Sequence, residues 1–357
     1  VGMGMELYKR SAAARNVWDR ADRHILAKYG VSLLRIIRTN PKELTVHFCS
    51  NAGATIRCNY MSFTRRCSSD GGDKGDFFPL FPDITLESSS YTYRSPIGVL
   101  NSTQFTQVSL IAFGMAAVAD MRAKSLVQKG AVFAGHSLGE YASLIAIGGI
   151  LALEDILDIT FYRGLLMQLA VERDAQGRSQ YGMVAADPSR LGSAADEGTL
   201  VLAVKCICVH NEELLEIVNY NVCGSQYVVT GTLHQLAVLR LVLDAVAKLG
   251  APTGGDWQAH IAQITSDVLA KPIDSRPVRG CATVPLLGLD IPFHSCQLLV
   301  GVDEFRTLLR EKIRLENINY SALHHHYIPN VTAVPFEVSH EYFSLVHSIT
   351  KSPVVAR

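Results

Sequence analysis

The stretch that most constrains this chain runs from Ala131 to Gly149, AVFAGHSLGEYASLIAIGG. Its first five residues are an apolar run of strand length, and from His136 the apolar positions recur at helical spacing. A strand that passes through a sharp turn into a helix is the βα unit of an α/β fold. Gly135-His136-Ser137-Leu138-Gly139 at that turn has the spacing G-x-S-x-G, which places a serine at a strained strand-to-helix elbow. Small residues on both sides let the backbone close up. The helix that follows then directs its N-terminal amides at the point where negative charge develops on a substrate. Ser137 is therefore the expected nucleophile, and the amide of Leu138 the natural oxyanion donor.

The rest of the chain is sized to support such a site. At 357 residues it exceeds a typical single domain, which predicts one large domain with a smaller one inserted or appended. A composition of 48% hydrophobic and 18% charged residues is enough for a sizeable core. Lys plus Arg and Asp plus Glu both count 33, so no net field favours nucleic acid or an anionic membrane. The eight cysteines show neither zinc-finger spacing nor a secreted disulfide framework, and reduced structural thiols in a cytoplasmic protein are expected. Cys206 and Cys208 alternate in VLAVKCICV, which predicts one face of a buried strand. The start, VGMGMELYKRS, lacks a basic end followed by an apolar run, and no uninterrupted apolar stretch reaches about 18 residues, so a soluble protein is expected.

Punctuation predicts the larger organisation. MELYKRSAAARNVWDRADRHILAKYG reads as helix up to a stop at Gly30, and a second helix is predicted from Gln104 to Lys129. SSDGGDKGDFFP, residues 68–79, reads as an exposed loop. From Tyr181 the texture changes: YGMVAAD, LVLAVKCICV, QYVVTG and VPLLGLDIPF read as strands, EELLEIVN and LHQLAVLRLVLDAVAKLG as helices. Short strands alternating with helices predict a ferredoxin-like α+β subdomain over 181–291, set between a core at 1–180 and a returning segment at 292–357. Helix resumes through VDEFRTLLREKI.

A nucleophilic serine needs a base, and twelve histidines compete for the role. His136 adjoins Ser137, but successive side chains at a tight turn point apart, so lining the pocket or aiding acyl exchange suits it better. His324, His325 and His326 read as a solvated cluster, and three consecutive histidines do not face one metal, so no metal site is predicted. His294 follows a predicted strand in DIPFHS, where Pro292 fixes the exit; residues at strand ends are where sites are built. An α/β hydrolase triad would draw its acid from Asp256, Asp267, Asp274 or Asp290, none distinctively set. A dyad whose imidazole is oriented by a backbone carbonyl is the open alternative. Arg163 lies in DITFYRGLLMQ on an otherwise apolar helix, as a snorkelling side chain or a buried anion clamp. A serine esterase or thioesterase, an acyltransferase, and a non-catalytic remnant of such a fold all remain open on these residues.

GHSLGEYASL, FYRGLLMQ, NYNVCGSQYVVTG, IPFHS and YIPNVTA occur in this order, and together they resemble the malonyl-CoA/acyl-carrier-protein acyltransferase family. GMGMELYKRS, WDRADRHI, TQFTQ, GRSQYGM and EIVNYN narrow the likeness to the malonyl/palmitoyl transferase domain of fungal type I fatty acid synthase β subunits. The resemblance thins in residues 45–95 and 250–280. It implies an α/β-hydrolase-like core with an inserted ferredoxin-like subdomain. Ser137 would be acylated and His294 would be its base, oriented by the backbone carbonyl of Asn330 in place of a carboxylate. Arg163 would pair with the free carboxylate of malonate, and Gln107 matches a pocket-facing position. The implied substrates are coenzyme A thioesters and the phosphopantetheine of an acyl carrier protein, within a larger synthase and with no cofactor bound in the domain. Two departures stand out. The family's Gly-Gln-Gly motif, which supplies a second oxyanion donor, is expected just upstream of Val1 together with the first core strand. Val108 and Ser109 replace the usual Pro-Ala, compatible with a specialised synthase.

Overall fold

In the computed structural model, which describes residues 1–66 and 77–355, the first helices are set by their caps. Ser11 separates α1 (Met5–Arg10) from α2 (Ala12–Tyr29): its backbone is extended, and its hydroxyl accepts from the Ala14 amide at 3.2 Å. Gly30 ends α2 at φ 71°, as its position predicts. α3 (Leu33–Thr39) follows, then β1 (Glu43–His47), α4 (Asn51–Met61), β2 (Thr64–Arg66), β3 (Phe77–Pro79) and β4 (Ser90–Arg94). Most of the loop expected at 68–79 lies outside the described residues; its last three residues form β3, antiparallel to β2.

Next come α5 (Thr103–Ala123), β5 (Phe133–Ala134), α6 (Leu138–Gly148) and α7 (Leu153–Leu169). α5 stops short of the predicted Lys129, because Lys124 leaves the helical region and Ser125 turns at φ 56°. β6 (Tyr181–Ala186), α8 (Glu197–Cys208), β7 (Leu215–Val222), β8 (Gln226–Thr232), α9 (Leu233–Leu249), α10 (Trp257–Leu269) and β9 (Thr283–Pro285) follow in sequence. The chain closes with α11 (Val302–Lys312), α12 (Tyr320–Leu323), β10 (Tyr327–Ile328) and α13 (His340–Thr350).

These elements form two compact units, Val1–Gln168 with Asp303–Arg357, and Leu169–Val302. The core of the first is aromatic: Trp18, Tyr29, Phe48, Tyr60, Phe105 and Phe161 are all buried. Each such side chain stabilises by about 1.5–3 kcal/mol through removal from water. The Asp158 carboxylate of α7 fastens α2 to this core. It accepts from Tyr29 Oη at 2.8 Å and Lys28 Nζ at 2.5 Å, and lies 2.8 Å from His24 Nε2. α7 also crosses α5 closely. A Cβ at Gly164 would lie 2.3 Å from the Gln104 Cα, so only glycine permits the approach. β5 pairs in parallel with β10 and leads straight into the turn before α6.

The second unit holds a four-stranded sheet of order β7-β8-β6-β9. Every neighbouring pair is antiparallel, and the sequence β6-α8-β7-β8-α9-α10-β9 gives the ferredoxin-like βαββαβ pattern with one added helix. Three element assignments differ from the sequence reading. LVLAVKCICV is not a strand but the body of α8, capped by Asp196 and Thr199 in a reciprocal box. Leu200, Ala203, Val204 and Ile207 are its buried face, while Cys206 is half-buried and Cys208 exposed. EELLEIVN turns into strand from Leu215, where β-branched and aromatic residues pair with β8 through two irregularities. Within VPLLGLDIPF only Val284 and Pro285 belong to a strand, so His294 follows a run of turns rather than a strand end.

Candidate active site

Ser137 holds a backbone conformation that serine rarely adopts, φ 52° and ψ −109°. That is close to the first central position of a type II′ turn, about +60° and −120°, which is usually glycine. Such a conformation costs about 1–3 kcal/mol and persists only where the surroundings hold it. Gly135 makes the turn possible: a Cβ there would sit 2.1 Å from the carbonyl carbon and oxygen of Gly139. At Gly139 itself an added Cβ meets nothing within 4 Å, so the demand falls on the first glycine of the motif. Although Ser137 is the N-cap of α6, its side chain makes no cap hydrogen bond. The Leu138 amide lies in the first turn of α6, where backbone donors have no acceptor within the helix.

Asn330 bridges the elbow. Its Oδ1 accepts from the Ser137 amide at 2.7 Å and its Nδ2 donates to the Gly135 carbonyl at 2.6 Å. The Asn330 amide in turn donates to Glu140 Oε1 at 2.8 Å, an oxygen that also accepts from Tyr327 Oη at 2.6 Å. Burial, joined by the Glu140 carboxylate, pushes the Tyr327 phenol far above its ordinary range, so it stays a donor. Neither Glu140 nor Tyr327 was singled out from the sequence. Ser137-x-x-Glu140 has the spacing of a capping box, which draws attention to Glu140 but to a different partner.

Arg163 and Gln107 come together in the first unit. Arg163 Nη1 donates to Gln107 Oε1 at 2.7 Å, and its guanidinium lies 5.6 Å from the centre of the Tyr141 ring. Gln107 is buried, and its amide nitrogen faces Met167 Sδ at 3.3 Å. Burial depresses the Arg163 pKa from its ordinary value, against an opposing pull from Tyr141. The cation is thus half-buried and only partly solvated. Tyr141 lies in the first turn of α6, four residues beyond Ser137. Tyr141 is a further residue the sequence reading passed over.

His294 lies in the second unit, exposed, at φ 65°. The neighbouring Ser295 hydroxyl donates to the Pro292 carbonyl at 2.7 Å. His136 is exposed beside Ser137. His324 and His325 meet edge to face, with ring centroids 3.9 Å apart. The four aspartates weighed as a triad acid have other partners. Asp256 caps α10, Asp267 accepts from Gln263, Asp274 pairs with Arg276, and Asp290 receives both guanidinium nitrogens of Arg173. Among the described residues no three His, Cys, Asp or Glu side chains converge as metal ligands, and no helix is long and apolar enough to cross a membrane.

An α/β fold with a serine at a strained elbow, and a half-buried guanidinium against Tyr141 of the helix that follows, fits the class of acyl-handling domains. Comparison with known proteins gives the family: residues 1–354 match the acyl transferase domain, and the chain belongs to that family. It is 43% identical over 354 residues to the fatty acid synthase beta subunit TOXC of Cochliobolus carbonum. It is also 40% identical over 363 residues to the fatty acid synthase subunit beta of Saccharomyces cerevisiae. Each match covers 98% of this chain but only 17% and 18% of those proteins. Among solved structures, the fold is similar to an acyl carrier protein S-malonyltransferase from Vibrio cholerae, with a TM-score of 0.51 and 19% identity over 98% of this chain and 77% of that one. FabD from Acinetobacter baumannii gives a TM-score of 0.52 and 17% identity over 98% and 75% of the two chains.

Proposed function

We propose that this domain moves malonyl groups, and long-chain acyl groups, between coenzyme A and the phosphopantetheine of an acyl carrier protein, as one part of a cytoplasmic fatty acid synthase. The observation that carries the reading is the strained Ser137 elbow at the start of α6, the helix whose Tyr141 ring lies 5.6 Å from the half-buried Arg163 guanidinium. His294 takes the Ser137 proton, with the backbone carbonyl of Asn330 orienting its ring. The serine oxygen attacks the thioester carbonyl, and the Leu138 amide stabilises the oxyanion. The tetrahedral intermediate collapses with loss of the coenzyme A thiol, which takes the proton back from His294. The carrier thiol then attacks the acyl-serine by the same steps in reverse. Arg163 pairs with the free carboxylate of malonate, held in orientation by Gln107 and Tyr141. His136 lines the entry to the acyl-serine. The engagement of all four candidate aspartates elsewhere supports a Ser–His dyad over the triad of a serine esterase.

Incubation with malonyl-CoA followed by intact-mass measurement tests this. The form used should include the family's Gly-Gln-Gly motif, since one oxyanion donor is worth about 10²–10³ in rate. A malonyl adduct that is absent in Ser137→Ala is the expected result. No adduct from either malonyl-CoA or palmitoyl-CoA on the folded protein rules the transferase reading out.

A further inference from the structure

We propose that Glu140 and Tyr327 are positioning residues that act through Asn330 to keep the Ser137 elbow in its strained, reactive form, an inference that rests on the reading of Ser137 as nucleophile. The serine's backbone is the high-energy part of the turn, and left alone it relaxes toward an ordinary conformation. Asn330 prevents this by spanning the turn, holding the Ser137 amide with one side-chain atom and the Gly135 carbonyl with the other. A side-chain amide does both jobs only in one rotamer. That rotamer is set by where the Asn330 main chain sits, and the Asn330 amide is anchored on Glu140 Oε1.

The anchor closes on itself. Glu140 lies in the first turn of α6, the helix that the elbow begins. Tyr327 lies on β10, paired with β5, the strand that feeds the elbow. Their 2.6 Å hydrogen bond therefore ties strand, turn and helix into one ring, with Asn330 at its centre. Neither residue reaches the reacting atoms through any contact described above, so each acts by placing the serine oxygen. A second consequence follows for the oxyanion site. The Ser137 amide is already held at 2.7 Å by Asn330, so the first donor to the oxyanion is the Leu138 amide and not the nucleophile's own.

The acceptor that matters is one oxygen, and this distinguishes the variants. Glu140→Gln keeps a side-chain carbonyl that can accept from both Tyr327 and Asn330, whereas Glu140→Ala keeps neither bond. Tyr327→Phe, isosteric apart from the hydroxyl, removes one bond and leaves the Asn330 anchor. The experiment measures single-turnover acylation of the same motif-containing form by malonyl-CoA and by acetyl-CoA, each over a range of concentrations, with a melting curve for every variant. A misplacement of about 1 Å costs on the order of 10²-fold. Glu140→Ala is therefore expected to slow the saturating acylation rate about 10- to 100-fold for both thioesters. Half-saturating concentrations and the preference for malonyl should stay unchanged. Tyr327→Phe should fall between Glu140→Ala and wild type, and Glu140→Gln should lie within about threefold of wild type.

Wild-type rates in both Glu140→Ala and Tyr327→Phe overturn the inference. So does a Glu140→Gln that folds as wild type yet is as slow as Glu140→Ala. Should Glu140→Ala fail to fold, Tyr327→Phe and Glu140→Gln decide alone: a slowed phenylalanine variant beside a near-normal glutamine variant supports the ring, and any other pattern refutes it. If wild type itself takes no acyl group from malonyl-CoA or from palmitoyl-CoA, the nucleophile reading fails and the inference falls with it. Wild-type labelling with unaffected variants sinks the inference alone.

Discussion

Replacing Arg163 with alanine should separate malonyl transfer from acyl transfer in general. The guanidinium is half-buried, bonded to Gln107 and stacked on Tyr141, so a carboxylate that meets it there leaves most of its water behind. Removing one partner of a fully buried ion pair costs about 3–5 kcal/mol, because the other charge is stranded. Partial exposure scales this to about 2–3 kcal/mol, a loss of roughly 30- to 150-fold in kcat/KM for malonyl-CoA. Acetyl-CoA brings no carboxylate, and its rate should change by less than about threefold. Arg163→Lys keeps the charge but not the planar fork, and should fall in between. The assay is acyl-enzyme formation under competition, with malonyl-CoA and acetyl-CoA present together and the two adducts resolved by mass. Equal losses for both substrates would refute the reasoning, since they would make Arg163 a structural support and not a reader of charge.

Other outcomes follow from the packing. Gly135→Ala forces a Cβ to within 2.1 Å of the Gly139 carbonyl, so acylation of Ser137 should drop at least about 10²-fold while the thermal midpoint of the second unit stays in place. Differential scanning calorimetry alongside the adduct assay checks this, and an alanine variant with wild-type labelling contradicts it. Gly164→Ala pushes α7 away from Gln104 and carries Arg163 off Gln107, so malonyl preference over acetyl should shrink severalfold. Asp158 tests pH. Burial raises its carboxyl pKa, but hydrogen bonds from His24 and Lys28 and the Lys28 charge more than offset this, leaving it below the ordinary range. A depressed carboxylate contributes stability that is present above the unfolded value near 3.9 and lost as pH falls through the folded value. Asp158→Asn should therefore lower stability at pH 7 by about 2–3 kcal/mol and flatten the acid limb of a urea-midpoint profile; an unchanged limb contradicts it.

What could be read from the residues tracks how local each interaction is. Gly30 and the G-x-S-x-G turn act within a few residues of themselves, and the structure places them where the sequence does, whereas Ser11 divides into α1 and α2 what the sequence reads as one helix. The βαββαβ unit was legible as an alternation, although two of its elements were exchanged. In α8 the Cys206–Cys208 alternation masked a face spaced at three and four residues, and the Asp196 cap was the better signal. In β7 the Glu-Glu-Leu-Leu start suggested helix, but pairing with β8 decided the outcome, as tertiary context does for strands. The side-chain bridge from Asn330 to Ser137 spans 193 residues, and nothing near Asn330 announces it. A separation of 187 residues likewise hides Tyr327 from Glu140.

The backbone at residue 137 also decides which amino acids could ever take the nucleophile's place. At φ 52° a β-branched side chain crowds its own main chain, so threonine, though it carries the same hydroxyl, is a poor fit to the turn. Cysteine keeps an unbranched Cβ and a nucleophilic atom in the same place, and is the one exchange that keeps both the turn and a covalent route. Glycine is what the backbone itself would choose, and it ends the chemistry. Selection at this position is thus pulled toward an inert residue by stability and confined by shape to serine or cysteine for as long as acyl transfer is needed.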